Sequence, residues 1–275
     1  FGEGRFGLGI RRTALSTALV ERAREVGADI REGQGVRGWS RSAEAVQLQT
    51  DGGPVHARLL VAADGLNSSL RKEGGLERPS GLPARYGLRR HYALAPWTDR
   101  VEVYFGHDVE AYVTPVGERR IGVGFLWEKG SAQLSFEHLL ERFPGLAERV
   151  GAAPFDSTVR GAGPLARTVP VLAQDRFVLL GDAAGYVDAI TGEGLTLGLR
   201  AAAFLSGQLP SVLAQGATAR SLAPYTKACA SHFAPYSRMT RAMLWMARRP
   251  ALRKQVIRAV GAVPWAFDQL LRRVA

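Results

Sequence analysis

With 275 residues the chain is long enough for one large or two modest domains around a real core. Its single cysteine rules out an internal disulfide and a cysteine cluster for metal, and its five histidines are scattered without ligand spacing, so no metal site is expected. The formal charge of +11 is a statement about partners rather than fold. No run approaches the ~18 apolar residues of a membrane span. No secretory segment is visible either, and the expected location is the cytoplasm.

Gly2, Gly4 and Gly7 formally satisfy a G-x-G-x-x-G spacing. No strand precedes them, and Arg11 stands where close packing wants a small residue, so the match is not read as a dinucleotide loop. A helix follows from about Thr13 to Val26, with Leu15, Leu19, Ala23 and Val26 on one face, and Gly27 stops it. Three strand-like runs come next, near Val36–Ser40, Ala45–Thr50 and Val55–Arg58, with Asp51-Gly52-Gly53 as a turn. Leu59 to Ala63 is apolar throughout and ends in Asp64-Gly65-Leu66-Asn67-Ser68-Ser69-Leu70-Arg71. There Ser68 or Ser69 caps the next turn and Arg71 packs structurally.

Residues 74–84 form a Gly/Pro-rich joint. The next section is strand-rich: Tyr86–Leu94, Val101–Phe105, Ala111–Val116 and Ile121–Leu126, with Gly117-Glu118 as a hairpin turn. Val101, Val103 and Phe105 share one strand face, Glu102 and Tyr104 the other. Arg89, His91, Tyr104 and Tyr112 are the polar or aromatic pocket candidates, and none is assigned as catalytic. A helix near Ser135–Phe143 is capped by Ser135 and ended by Pro144. Ser157–Gly163 and Thr168–Leu172 read as extended.

The chemistry concentrates between Arg176 and Ala202, RFVLLGDAAGYVDAITGEGLTLGLRAA. Phe177 to Leu180 suits a strand covered on both faces. Gly181-Asp182 ends it. Thr191-Gly192-Glu193-Gly194 opens a helix whose Leu195, Leu199, Ala202, Leu205 and Leu209 recur at helical spacing. Strand, glycine loop and helix start together present free backbone N–H groups and the positive end of a dipole, which suits an anion. Gly192 and Gly194 let a flat ligand approach the backbone. Beyond Pro210 and Gly216 the chain reads as helical. Met239, Met243 and Met246 line one amphipathic piece, Leu252, Val256 and Val260 a second, and Trp265, Leu270, Leu271 and Val274 a third. Nine basic residues and one acid from Arg238 to Ala275 hold +8 of the net charge. The expected role of this tail is a helical cap on the body. The competing reading is peripheral contact of residues 238–275 with anionic lipid. No recognisable motif accompanies the charge, so no specific nucleic acid is expected.

The GDAAG-YVDAI-TGEG stretch resembles the second flavin-binding motif of the para-hydroxybenzoate-hydroxylase-type FAD enzymes, and most of all their geranylgeranyl-reductase-like branch. The Ala-Asp-Gly of residues 63–65, followed by Ser and Arg, is similar to that family's middle motif. Arg12-Thr-Ala-Leu15 is similar to its Arg-x-x-Leu helix start. The resemblance covers most of residues 5–215 and implies FAD as cofactor. On it, Asp182 binds a ribityl hydroxyl, with Gly181 and Ala183 beside it, and Gly192, Gly194 and Leu195 lie under the ring. Asp64 and Gly65 lie near the pyrophosphate, and Arg12 contacts the cofactor near its phosphates.

The implied fold is α/β: a partial FAD/NAD(P)-binding Rossmann-like domain (1–75 and 158–215, lacking its N-terminal βαβ unit), an inserted antiparallel-sheet substrate domain (76–157) and a helical C-terminal region (216–275). The implied activity is an oxidoreductase that reduces a double bond or hydroxylates a hydrophobic or aromatic small molecule, with NAD(P)H as electron donor. The alternative is a flavin-free membrane-surface or scaffolding protein that keeps the fold. Gly185 stands where hydroxylases carry His, as in the reductase-like branch, and Ala189 stands where a Pro is common. The Trp-x-Trp-x-x-Ile-Pro signature of flavin halogenases is absent, which argues against halogenation.

Overall fold

The computed structural model describes residues 7–128 and 134–262. In chain order, helix α1 (Arg12–Glu25) precedes a meander of β1 (Val36–Arg41), β2 (Val46–Thr50) and β3 (Gly53–Ala57). Strand β4 (Leu60–Ala62) and helix α2 (Ser69–Glu73) follow. Then come β5 (Arg85–Tyr92), β6 (Glu102–Phe105), β7 (Val109–Pro115) and β8 (Ile121–Glu128). Helices α3 (Phe136–Glu141) and α4 (Pro144–Val150) lead to β9 (Arg160–Ala162), β10 (Ala173–Gln174) and β11 (Phe177–Leu179). Helices α5 (Gly194–Ala214), α6 (Ala223–Ala247) and α7 (Pro250–Ala262) close the described chain. The fold is mixed α/β with antiparallel sheets and a helical C-terminal part. The chain forms two compact units, one of residues 1–30, 83–164 and 243–275, the other of 31–82 and 165–242.

The first unit is built on a five-stranded antiparallel sheet in the order β6-β7-β8-β5-β9. Strand alternation divides its residues. Tyr92, Val109, Ala111, Val113, Ile121, Val123 and Phe125 turn to one face and bury against Phe136, Leu139, Phe143, Leu146 and Val150 of α3 and α4. Each valine, leucine, isoleucine or phenylalanine among them contributes about 1.5–3 kcal/mol on burial. The opposite face carries Arg89 and His91 on β5, paired in register with Gly124 and Gly122 on β8, and Tyr112 on β7. Tyr104 departs from the sequence expectation that grouped it with these residues. It packs toward the core, and its hydroxyl donates to Glu102 Oε2 at 2.6 Å. Its strand neighbour Val103, paired with Tyr112 on the opposite face, is 41% exposed.

Ser135 caps α3, accepting from His138 N at 3.1 Å. Pro144 does not simply end that helix. It occupies the first turn of α4, where its missing N–H is not needed. Helix α1 ends at Gly27 (φ +85°) as the glycine signal indicates, but it buries no residue. Leu19 is 50% and Val26 65% exposed, so the expected apolar face is uncovered. The helix is held at its start instead, by the close approach of Gly9 to Pro115 O and by an ion pair of Arg11 with Asp156 at 3.1 Å.

In the second unit, β1-β2-β3 form the expected antiparallel meander. A separate sheet has the order β10-β11-β4, with β11 and β4 parallel. Phe177, Val178 and Leu179 are all fully buried. Phe177 and Leu179 pack with Val46, Leu60, Ala62, Leu70 and Leu76, and Trp39 stacks on Phe177 at 4.5 Å between centroids. Val178 faces the other way, toward Leu205, Val212, Ala217, Leu222 and Tyr225. The strand is covered on both faces, as its unbroken apolar run indicates. In α5 the buried side chains are Leu205 and Val212, whereas Leu195 and Leu199, at the start of the expected stripe, are 38% and 55% exposed.

Candidate functional site

The site is assembled from three turns of the second unit. The first follows β4. Gly65 takes a positive φ of +81° with nothing within 4 Å of a would-be Cβ, a conformation that favours glycine. Asp64 turns its carboxylate back on α2, accepting from Leu70 N at 3.2 Å and Ser69 Oγ at 3.5 Å. Ser68 Oγ caps the same helix by accepting from Arg71 N at 2.9 Å. Arg71 is fully buried. It donates to Leu66 O at 2.9 Å and crosses to the next turn to donate to Ala183 O at 3.2 Å.

The second turn is a single 3-10 turn, Gly181–Ala184, at the end of β11. The Ala183 side chain is fully buried, and its carbonyl is the acceptor for Arg71. Arg167 fastens both turns. Its Nε donates to Leu66 O at 3.1 Å and one Nη to Asn67 Oδ1 at 2.9 Å, while its backbone exchanges hydrogen bonds with Tyr186 at 2.7 and 3.1 Å. Glu77 lies near both guanidiniums, 3.6 Å from Arg71 and 3.8 Å from Arg167.

The third turn opens α5. Gly192 has a φ of +72° and nothing within 4 Å of a would-be Cβ. The first intrahelical bond runs from Leu197 N to Glu193 O, so the N–H groups of Gly194, Leu195 and Thr196 point out of the helix end. A Cβ on Gly194 would stand 3.8 Å from Asp182 Oδ1 and 3.3 Å from the Tyr186 ring. The acid and the helix start are therefore immediate neighbours, with the tyrosine ring beside them. Burial raises the Glu193 carboxyl above its ordinary value, partly offset by Arg200.

A cavity of about 640 Å³ adjoins this point. Gly181, Asp182, Gly194, Leu197 and Gly198 form one wall, and Val169, Phe204, Cys229, Phe233 and Tyr236 are among the others. Its size and mostly apolar lining are those of a small-molecule site. Gly192 and Leu195 lie outside it, on the open side of the α5 start. The cavity's far wall is fixed by two phenols of α6. Tyr225 donates to Leu179 O at 2.7 Å and Tyr236 to Asp188 O at 2.9 Å.

Gly181, Asp182, Ala183, Gly192, Gly194 and Leu195 thus meet around one turn and one helix end. Asp64 and Gly65 are tied to them through Arg71. Arg12 belongs to the other unit, exposed at the first turn of α1. Sequence reasoning assigned no role to Arg167 or Tyr186, and only structural packing to Arg71. The serine cap three residues before Arg71 is the one local signal that placed it. Of the glycines near the start, Gly2 and Gly4 lie outside the described residues.

The profile of the FAD binding domain family matches residues 5–239. The chain belongs to that family. Among curated members, digeranylgeranylglycerophospholipid reductase 1 of Methanothermobacter thermautotrophicus is 28% identical over 185 residues, covering 64% of this chain and 46% of that protein. Reductase 2 of the same organism is 30% identical over 216 residues, covering 68% and 51%. The chain spans about half the length of the curated relatives it matches. The solved halogenase PltM in complex with phloroglucinol and FAD superposes with a TM-score of 0.76 at 18% identity, covering 88% of this chain and 55% of that one. That likeness shows the fold. The family is one of FAD-dependent oxidoreductases, and the likeness to the geranylgeranyl-reductase-like branch is carried by the named relatives.

Proposed function

We propose that the chain carries the ring-facing part of the FAD site of a reductase that saturates a carbon–carbon double bond in a hydrophobic substrate, with NAD(P)H as electron source. The observation that carries the reading is the Asp182 carboxylate standing 3.8 Å from the Cβ position of Gly194 at the start of α5. On this reading the residues after β4 and β11 belong to a partial Rossmann-like domain. The parallel pairing of those two strands supports it.

The residues present fit the cofactor. Asp182 accepts a hydrogen bond from a polyol hydroxyl. The amides of Gly194, Leu195 and Thr196 offer donors and a dipole to an electron-rich ring edge. Gly192 leaves the backbone bare for a flat ring to lie on. Burial that raises Glu193 works against a carboxylate competing for the same amides. FAD supplies two-electron redox chemistry when bound. The protein's share is to hold the ring, and the 640 Å³ cavity offers apolar walls to a hydrophobic substrate. Reduction is favoured over hydroxylation because the relatives at up to 30% identity are named reductases.

Flavin fluorescence quenching on the 275-residue chain tests the reading. Weak but saturable FAD binding is expected, because only part of the cofactor site is present, and it is weakened by a further tenfold or so in Asp182→Ala, about the worth of one hydrogen bond to a charged acceptor. Equal affinity in both proteins would remove the assignment. Oxygen uptake against product saturation separates reductase from hydroxylase.

The cap reading of the tail is favoured over lipid contact. Arg248 pairs with Glu128 at 2.5 Å, and the Arg253 guanidinium sits 4.9 Å over the Phe105 ring. These arginines are engaged within their own unit. Trp265, Leu270, Leu271 and Val274 lie outside the described residues. No helix among the described residues is long and apolar enough to cross a membrane.

A further inference from the structure

The polar face of the five-stranded sheet carries a charge problem that its own residues do not solve. Arg89 on β5 and Arg160 on β9 are direct cross-strand partners. Side chains so paired stand on one face about 5 Å apart, and like charges there are destabilising. Arg11 and Arg12 enter the same neighbourhood from the start of α1 and act on the Arg89 charge. The nearby carboxylate, Asp156, is already occupied. It pairs with Arg11 at 3.1 Å and with Arg120. Among the described residues, Arg12, Arg89 and Arg160 have no carboxylate within ion-pair distance. Among the described residues, Arg89 donates to a ring nitrogen of His91 at 3.5 Å and to no other side chain. Across β5 from Arg160, Gly124 opposes Arg89 and Gly122 opposes His91, whose ring covers Gly122.

From this juxtaposition we infer that Arg89 and Arg160, flanked by Arg12, form a binding site for a phosphoryl anion. Three guanidiniums without carboxylates match a group carrying two or more negative charges better than a carboxylate, which would neutralise one. The guanidinium fork also suits phosphate oxygens in bidentate geometry. Gly124 leaves space beside Arg89, while the His91 ring lies over Gly122. Desolvation, and then Arg12, Arg160 and Arg11, lower the hold of Arg89 on its proton, while the side chain stays exposed to an incoming anion. The pair Arg89–Arg160 lies within the first unit; only the flanking Arg12 is shared with the cofactor contact that the resemblance implies.

Inorganic pyrophosphate is the probe, titrated by calorimetry into the 275-residue chain, Arg89→Gln and Arg160→Gln. Arg22→Gln is the control, an exposed arginine of α1 paired with Glu25 at 2.9 Å. Pyrophosphate binding is expected in the parent chain and the control, with the dissociation constant raised about tenfold or more in each sheet variant. Without pyrophosphate, both sheet variants are expected to melt no lower than the parent, because each relieves a like-charge pair. No binding by the parent, equal affinity in all four proteins, or a fall in the ligand-free melting temperature of both sheet variants would overturn the proposal. Flotation on phosphatidylcholine vesicles with and without phosphatidic acid locates the source of the phosphate. Retention by phosphatidic acid that disappears in both sheet variants puts the group on a lipid. Retention that is the same in all proteins, with pyrophosphate binding lost, puts it on a soluble ligand.

Discussion

Replacing Arg71 by Met tests how the site is held together. The change keeps most of the aliphatic stem and removes a guanidinium that is fully buried. Two carbonyls lose a donor, but not equally. Leu66 O keeps the hydrogen bond from Arg167 Nε at 3.1 Å, whereas Ala183 O, in a residue of zero exposure, loses the one from Arg71. An orphaned buried acceptor costs about 1–3 kcal/mol, and a lost hydrogen bond from a charged donor adds about 1.5 kcal/mol or more. Glu77 is 35% exposed and keeps Arg167 at 3.8 Å, so the broken ion pair adds little. The expected destabilisation is about 2.5–4.5 kcal/mol. Urea unfolding followed by circular dichroism gives the number, and Trp39, stacked on Phe177, gives a fluorescence report from the same unit. Glu77→Gln should lose less than about 1 kcal/mol. A loss below about 1 kcal/mol in Arg71→Met would show that the two turns do not depend on the arginine bridging them.

Tyr225→Phe removes the buried phenol that donates to Leu179 O at 2.7 Å, and should cost about 1–3 kcal/mol in the same unfolding assay. No change would mean that β11 does not need α6 to satisfy it. In the first unit, His91 is held below its ordinary 6.5 by burial, then by Arg89 and Arg11, with Asp156 opposing and Arg120 adding a little. A depressed folded-state value means that neutral His91 contributes stability above pH 6.5, lost as the pH falls through the depressed value. The stability of the parent chain should therefore fall more steeply below pH 6.5 than that of His91→Gln. Parallel pH curves for the two would contradict this.

Much of the architecture is legible because local signals and long-range packing agree. The unbroken Phe177-Val178-Leu179 run could only be a strand covered twice, and it is. Ser68 and Ser135 cap the helices they precede. What pattern alone misjudges is the choice between competing apolar faces. On β6 Tyr104 reads as a pocket residue beside Arg89, His91 and Tyr112, yet it packs against the core, and Val103 on the other face is 41% exposed. On α6 the methionine stripe looks like the inner face. Over that stretch the buried residues are instead Tyr236, Thr240, Leu244 and Ala247, one step round the helix, with the methionines at its margin. In the site, the glycines and Asp182 carry a pattern that can be read. Arg167 and Tyr186 do not, because their partners lie about 100 residues away or across a loop.

Arg176 closes the second unit in a way that bears on how the chain comes to be made. With a left-handed φ of +57°, it donates to Ala43 O and Arg58 O, 133 and 118 positions earlier in the chain. Neighbouring β11 pairs with β4 across a similar span. During synthesis the N-terminal half of this unit must wait, with its apolar β4 unpaired, until the other unit's central segment has emerged and β11 follows. Maturation is thus timed by the slow meeting of distant segments. A ribosome stalled before residue 177 would hold a chain whose central pairing could not yet form.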